Sequence, residues 1–199
     1  MTLPVILASA SPRRRELLTL IGIAHEVRPA DVDESVRAGE EPVAYVDRLA
    51  REKALVVAPD DAQAVIIAAD TTVVLDGEIL GKPASEEDAV SMVTALAGRT
   101  HLVFTGVAVR RGARITSHVD QVAVTMRPLS EAEIRAYVAT GEPMDKAGAY
   151  GIQGFGATLV TRVDGDYFAV MGLGLSGLVQ ALPIVGARYA VGRGVIDDD

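Results

Sequence analysis

The chain has 199 residues, enough for one substantial α/β domain, and its 49% hydrophobic and 23% charged residues are an ordinary globular mix. A net charge of −8 argues against a surface for long nucleic acid, and the absence of cysteine excludes disulfides, thiolate zinc sites and a cysteine nucleophile. Tryptophan is absent and aromatics are 4%, which argues against a base-stacking surface, and no apolar run nears the ~20 residues of a membrane span. No charged-then-apolar leader opens the chain, so a cytoplasmic soluble protein is the expectation.

Residues 3–8 read as a short strand and residues 9–12 as a tight turn. A helix follows over residues 13–22, stopped by Gly22. Ser11 is a good N-cap and Pro12 suits the first helical position. Arg13, Arg14 and Arg15 then crowd the helix end that already carries partial positive charge. Either they are solvated surface residues, or an anion such as phosphate sits among them and the free N–H groups.

A loop with Asp31, Asp33 and Glu34 leads to a helix over residues 42–57. Its Lys53 falls on the apolar face, so it either snorkels to the surface or points into a site. Residues 64–69 read as a central parallel strand ending at Asp70. A carboxylate beyond such a strand end is a functional candidate, the alternative being a turn or cap residue. Asp76-Gly77 suits a type I′ hairpin, which delivers Gly81-Lys82-Pro83, with the backbone of Lys82 biased to extended by the proline.

Ser85 caps a helix that ends at Gly98. Two long strands follow, over residues 101–110 and 114–126. Ser130 and Glu133 form a capping box. Residues 148–156 hold four glycines, which permit unusual backbone angles and close ligand approach. Strands at about 157–163 and 167–172 flank Asp164-Gly165, and a helix runs from about 173 to 182. The run Gly172 to Gly177 fits G-x-G-x-x-G, but no clear strand is read after it, so dinucleotide binding is rejected. His25, His101 and His118 have no metal-type spacing. With no repeat or linker, one domain over residues 1–199 is expected, with two lobes and a cleft.

Several words of the chain together resemble the Maf family of nucleoside triphosphate pyrophosphatases (septum-formation proteins). They are Leu-Ala-Ser-Ala-Ser-Pro-Arg-Arg at 7–14, Val-Asp-Glu at 32–34 and Ala-Arg-Glu-Lys-Ala at 50–54. Ala-Asp-Thr at 69–71, Gly-Lys-Pro at 81–83 and Asp-Lys-Ala-Gly-Ala-Tyr-Gly-Ile-Gln-Gly at 145–154 complete the set. The last looks like the subgroup acting on dTTP and UTP. Two words depart from the pattern: Arg99 stands where the family has lysine, and Gly174 where it has proline.

The resemblance implies an inosine-triphosphatase-like mixed sheet flanked by helices, often in a homodimer. It implies hydrolysis of dTTP and UTP to the monophosphate and pyrophosphate with Mg²⁺ or Mn²⁺. Glu34 and Asp70 would be the metal ligands and Asp70 also the base. Ser11, Arg13, Arg14, Lys53 and Lys82 would bind the triphosphate. Arg13, Thr71 and Gln153 would select the base. A hard cation does favour carboxylate oxygens, and clustered cations do suit a leaving pyrophosphate. The other reading is a nucleotide-binding regulator of division whose hydrolysis is incidental.

Overall fold

The computed structural model describes residues 1–59 and 62–198; Asp199 of the acidic tail lies outside them. The main sheet has seven strands, in the order β2-β1-β3-β5-β6-β7 with β4 added to β3. These are β1 (Val5–Leu7), β2 (Glu26–Val27), β3 (Val65–Leu75), β4 (Glu78–Leu80), β5 (Thr100–Arg111), β6 (Arg114–Met126) and β7 (Val160–Asp164). A separate antiparallel hairpin is formed by β8 (Ala187–Ala190) and β9 (Gly194–Asp197). The expected mixed α/β architecture is therefore present.

The chain divides into two compact units. The first comprises Met1–Asp70, Thr105–Asp120 and Gly172–Asp199, and the second Thr71–Phe104 and Gln121–Met171. In the first unit β1 pairs in parallel with both β2 and β3. Helix α1 (Pro12–Leu20) follows β1 directly, with Ser11 as N-cap and Pro12 at the first position, as the sequence predicts. Helix α2 (Pro42–Val56) lays Ala50 and Ala54 against Ile6 and Ala8 of the β1 segment, Ile66 and Ala68 of β3, and Ala108 of β5. Small residues on both faces let the helix approach closely. The limit is reached at Gly106, where a Cβ would stand 2.4 Å from the carbonyl oxygen of Val46.

In the second unit the β3–β4 hairpin turns at Asp76-Gly77, both with positive φ, as a type I′ turn requires. Helices α3 (Glu86–Leu96) and α4 (Glu131–Val138) share a core around Val93, Leu96, Ile134 and Val138. The Ser130–Glu133 capping box is formed. Nη2 of Arg99 donates to both carboxylate oxygens of Asp76, at 2.7 and 2.8 Å, so the cation at this position ties to the hairpin turn.

Three expectations fail for identifiable reasons. Residues 167–171 form helix α5 (Tyr167–Met171), not a strand. The Asp166 carboxylate accepts from the N–H of Phe168 at 2.7 Å and caps it, and a five-residue apolar run has no period that separates helix from strand. The β8–β9 hairpin occupies a stretch read as carrying no strand, because it is short and its turn is Gly192-rich rather than an Asn-Gly pair. Asp70 lies inside β3, not beyond it. The strand continues because β1 pairs with it as far as Ile67 and β4 takes over at Val73. Among the described residues no helix is long and apolar enough to cross a membrane.

Candidate active site

Side chains alternate along a strand, so Ile66, Ala68 and Asp70 share the face of β3 that α2 covers. Lys53, on α2 between Ala50 and Ala54, meets that face. Its ammonium lies 2.7 Å from Oδ1 of Asp70 and 2.5 Å from Oε1 of Glu34. Lys53 is 6% exposed and Asp70 8%, while Glu34 is half exposed. Of the two readings open for Lys53, the structure selects the inward one.

Arg14 joins this cluster from α1. Its Nε donates to the carbonyl of Gly172 at 2.8 Å and its Nη1 to the hydroxyl of Ser9 at 3.0 Å. Burial lowers the guanidinium pKa, the charge of Asp70 opposes that, Arg13 adds to it, and Glu34 opposes it in turn. The Arg14 guanidinium thus feels the charges of Asp70, Arg13 and Glu34. Arg15 is exposed. Ser11 spends its hydroxyl on the N–H of Arg14 at the helix cap.

The loop carrying Glu34 is fixed by two residues of α2 that the sequence reading passed over. The Tyr45 hydroxyl donates to the backbone carbonyl of Glu34 at 2.9 Å. Burial, Asp70 and Glu34 push its pKa up to about 12, so it remains a donor. Arg48 grips both oxygens of Glu40 at 2.6 and 2.8 Å and the carbonyl of Ser35 at 3.0 Å. That pair pulls the Glu40 carboxyl down to about 2. Tyr45, Leu49 and Lys53 are spaced by four, one face of a helix, and that spacing was the available signal. Ser9 was also missed; its hydroxyl accepts from the N–H of Ser11 as well as from Arg14.

Thr71, Lys82 and Gln153 belong to the second unit. Lys82 is exposed and Gln153 half-buried. The N–H of Gly148 donates to the carbonyl of Gly81 at 3.0 Å, tying the glycine-rich segment to the residue before Lys82. Gly148 has φ +67° and packs so tightly that a Cβ would meet Val73 at 2.9 Å. The rejected G-x-G-x-x-G run has other work: Gly172 accepts from Arg14 and Gly174 caps helix α6 (Leu175–Ala181).

No cluster of three or more His, Asp or Glu side chains arranged for a metal occurs among the described residues. The pair Glu34 and Asp70 nevertheless suits a hard divalent cation. Such an ion binds through one or two carboxylates and completes its shell with water and substrate phosphates. The two carboxylates already converge on one positive charge, the Lys53 ammonium.

Fold and site together define an α/β protein in which a buried Lys53–Asp70 pair is joined by the partly exposed Glu34 and Arg14. The model of the family described as Maf-like protein matches residues 4–184, and the chain belongs to that family. A dTTP/UTP pyrophosphatase of Anaeromyxobacter sp. (strain Fw109-5) is 53% identical over 187 residues, covering 92% of this chain and 89% of the relative. A dTTP/UTP pyrophosphatase of Moorella thermoacetica is 51% identical over 185 residues, covering 92% and 95%. The solved Ham1 protein of Staphylococcus aureus is similar with a TM-score of 0.47 and 16% identity, over 79% of each chain.

Proposed function

We propose that this chain hydrolyses dTTP and UTP to the nucleoside monophosphate and pyrophosphate, and that Asp70 is its base. The convergence of Glu34 and Asp70 on Lys53, with Arg14 coupled to both carboxylates, carries the reading. The names borne by relatives at about half identity support it.

In this reading Asp70 accepts a proton from a water that attacks the α-phosphorus. The new oxygen–phosphorus bond forms as the bridge to the β-phosphate breaks, and pyrophosphate leaves with the electron pair. Arg13, Arg14, Lys53 and Lys82 stabilise the charge that develops on the phosphate oxygens, and Ser11 fixes the turn that presents the two arginines. Lys53 also holds the Asp70 carboxylate in place before substrate arrives. Glu34 and Asp70 would hold Mg²⁺ or Mn²⁺, which supplies positive charge against the phosphates and lowers the pKa of water.

Thr71, Gln153 and Arg13 select the base. A glutamine amide offers one acceptor and a pair of donors. That matches the N3–H and flanking carbonyls shared by uracil and thymine, whereas cytosine presents the reversed pattern and is refused only while the amide is held in one orientation. The family resemblance extends the reading to a cytoplasmic homodimer, which sedimentation and fractionation would check.

The deciding experiment is a panel of nucleoside triphosphates with Mg²⁺ or Mn²⁺. Turnover of dTTP and UTP above that of CTP and the purine triphosphates is expected; faster purine turnover would end the specificity claim. Asp70→Asn should lose turnover by about a hundredfold or more while still binding nucleotide, and near-normal turnover would remove Asp70 from the chemistry.

A further inference from the structure

The glycine-rich segment around Gln153 is held by two side chains to which nothing above gives a role. We propose that Glu142 is the positioning residue of the base-reading segment: its carboxylate, with the Tyr137 hydroxyl, clamps the backbone on both sides of Gln153. The proposal rests on the reading that Gln153 selects the base.

The hydroxyl of Tyr137, on α4, accepts from the N–H of Gly151 at 3.1 Å and donates to Oε1 of Glu142 at 3.0 Å. Burial raises the phenol above its usual range, so the proton stays on oxygen. Glu142 then receives two backbone N–H groups: Gly156 at 3.0 Å on Oε1 and Phe155 at 2.9 Å on Oε2. Gln153 stands between these fixed points in an extended conformation, next to Ile152, which is buried. Its side chain therefore leaves the backbone in one set direction.

The contacts around the carboxylate leave no room for side chains. A Cβ on Gly154, where φ is +62°, would stand 2.4 Å from Oε2 of Glu142. A Cβ on Gly156 would stand 2.0 Å from the carbonyl of Gly151. The glycine spacing is thus what a closely wrapped carboxylate requires. Three donors converge on an acceptor-only group; an amide in its place would turn an NH₂ toward one of them. Removing an acceptor from such a set releases the segment without touching the triphosphate contacts.

The test compares kcat/KM for UTP and for CTP in Glu142→Gln, Gln153→Ala and the double variant of the full chain. Glu142→Gln is expected to lower the UTP-over-CTP ratio about tenfold, the loss carried by KM for UTP rather than by kcat. The double variant should fall no further than Gln153→Ala alone, since both act through one amide. A normal ratio in Glu142→Gln beside a lowered ratio in Gln153→Ala would overturn the clamp and leave base selection standing. A normal ratio in Gln153→Ala would overturn base selection, and the clamp with it. If Glu142→Gln does not fold, Tyr137→Phe replaces it: the ring is kept and the hydroxyl lost, and a ratio equal to that of the parent overturns the proposal.

Discussion

The ammonium of Lys53 lies 2.7 Å from the carboxylate of Asp70, and the two are contributed by a helix and a strand that meet over a layer of alanines. Removing one partner of such a buried pair leaves the other charge uncompensated. Lys53→Met is therefore expected to lower stability by about 3 kcal/mol, read by urea denaturation, and to abolish turnover. Stability equal to the parent's would show that Asp70 finds another partner.

Gly106 sets the distance between α2 and β5. Gly106→Ala puts a methyl against the Val46 carbonyl, and backbone there has no soft side chain to yield. The helix must shift, at a cost of about 1–3 kcal/mol. Because Lys53 and Tyr45 ride on that helix, kcat/KM should fall with the thermal midpoint. An unshifted midpoint would mean that the sheet yields instead.

Arg14 makes two directional bonds from one planar group, to Gly172 and to Ser9. A lysine supplies the charge without the fork. Arg14→Lys is expected to lose about tenfold or more in kcat/KM for UTP. A loss under twofold would show that only the charge is used.

His101 is 2% exposed, its Nε2 is 2.6 Å from the Tyr150 hydroxyl, and its Nδ1 has no hydrogen-bond partner among the described residues. Burial lowers its pKa from 6.5 to about 4. The unfolded chain thus binds the proton more readily. The stability gained is fully present above pH 6.5 and is lost as pH falls toward 4, on the order of 3 kcal/mol in all. Thermal midpoints measured from pH 7 to 4 should decline through that window, with a shallower slope in His101→Asn. Equal slopes would move the acid sensitivity to other groups. The carboxylates of Glu40 and Glu133, held down to about 2, lose their contribution lower, between pH 4.5 and 2.

Local signals in the chain were sufficient for α1 through α4, for the Asp76-Gly77 hairpin and for both long central strands. In each case capping residues, turn residues and apolar period agreed. Lys53 and Asp70 could be nominated because a charge on an apolar face is out of place. What was not legible depends on partners distant in sequence. Tyr45 looks like a surface aromatic until Glu34 is beside it, and Gly106 looks like a weak point of a strand until α2 lies on it. Ser9 is one of two serines in a turn until Arg14 folds back. Glu142 carries no local signal of its role, and only the fold brings two backbone N–H groups, of Phe155 and Gly156, and the Tyr137 hydroxyl around it.

The tie between Arg14 and Gly172 spans 158 residues, and the N–H of Leu3 reaches the carbonyl of Val195. During synthesis, then, the arginine turn leaves the ribosome long before its acceptor exists. At chain growth of about 5–20 residues per second, that interval is on the order of ten seconds. Through that time the positively charged turn is exposed and unfinished. The neighbourhood of the first strand is therefore completed late: the Arg14 side chain gains its carbonyl acceptor only once Gly172 has been made, and Leu3 gains its own only with Val195.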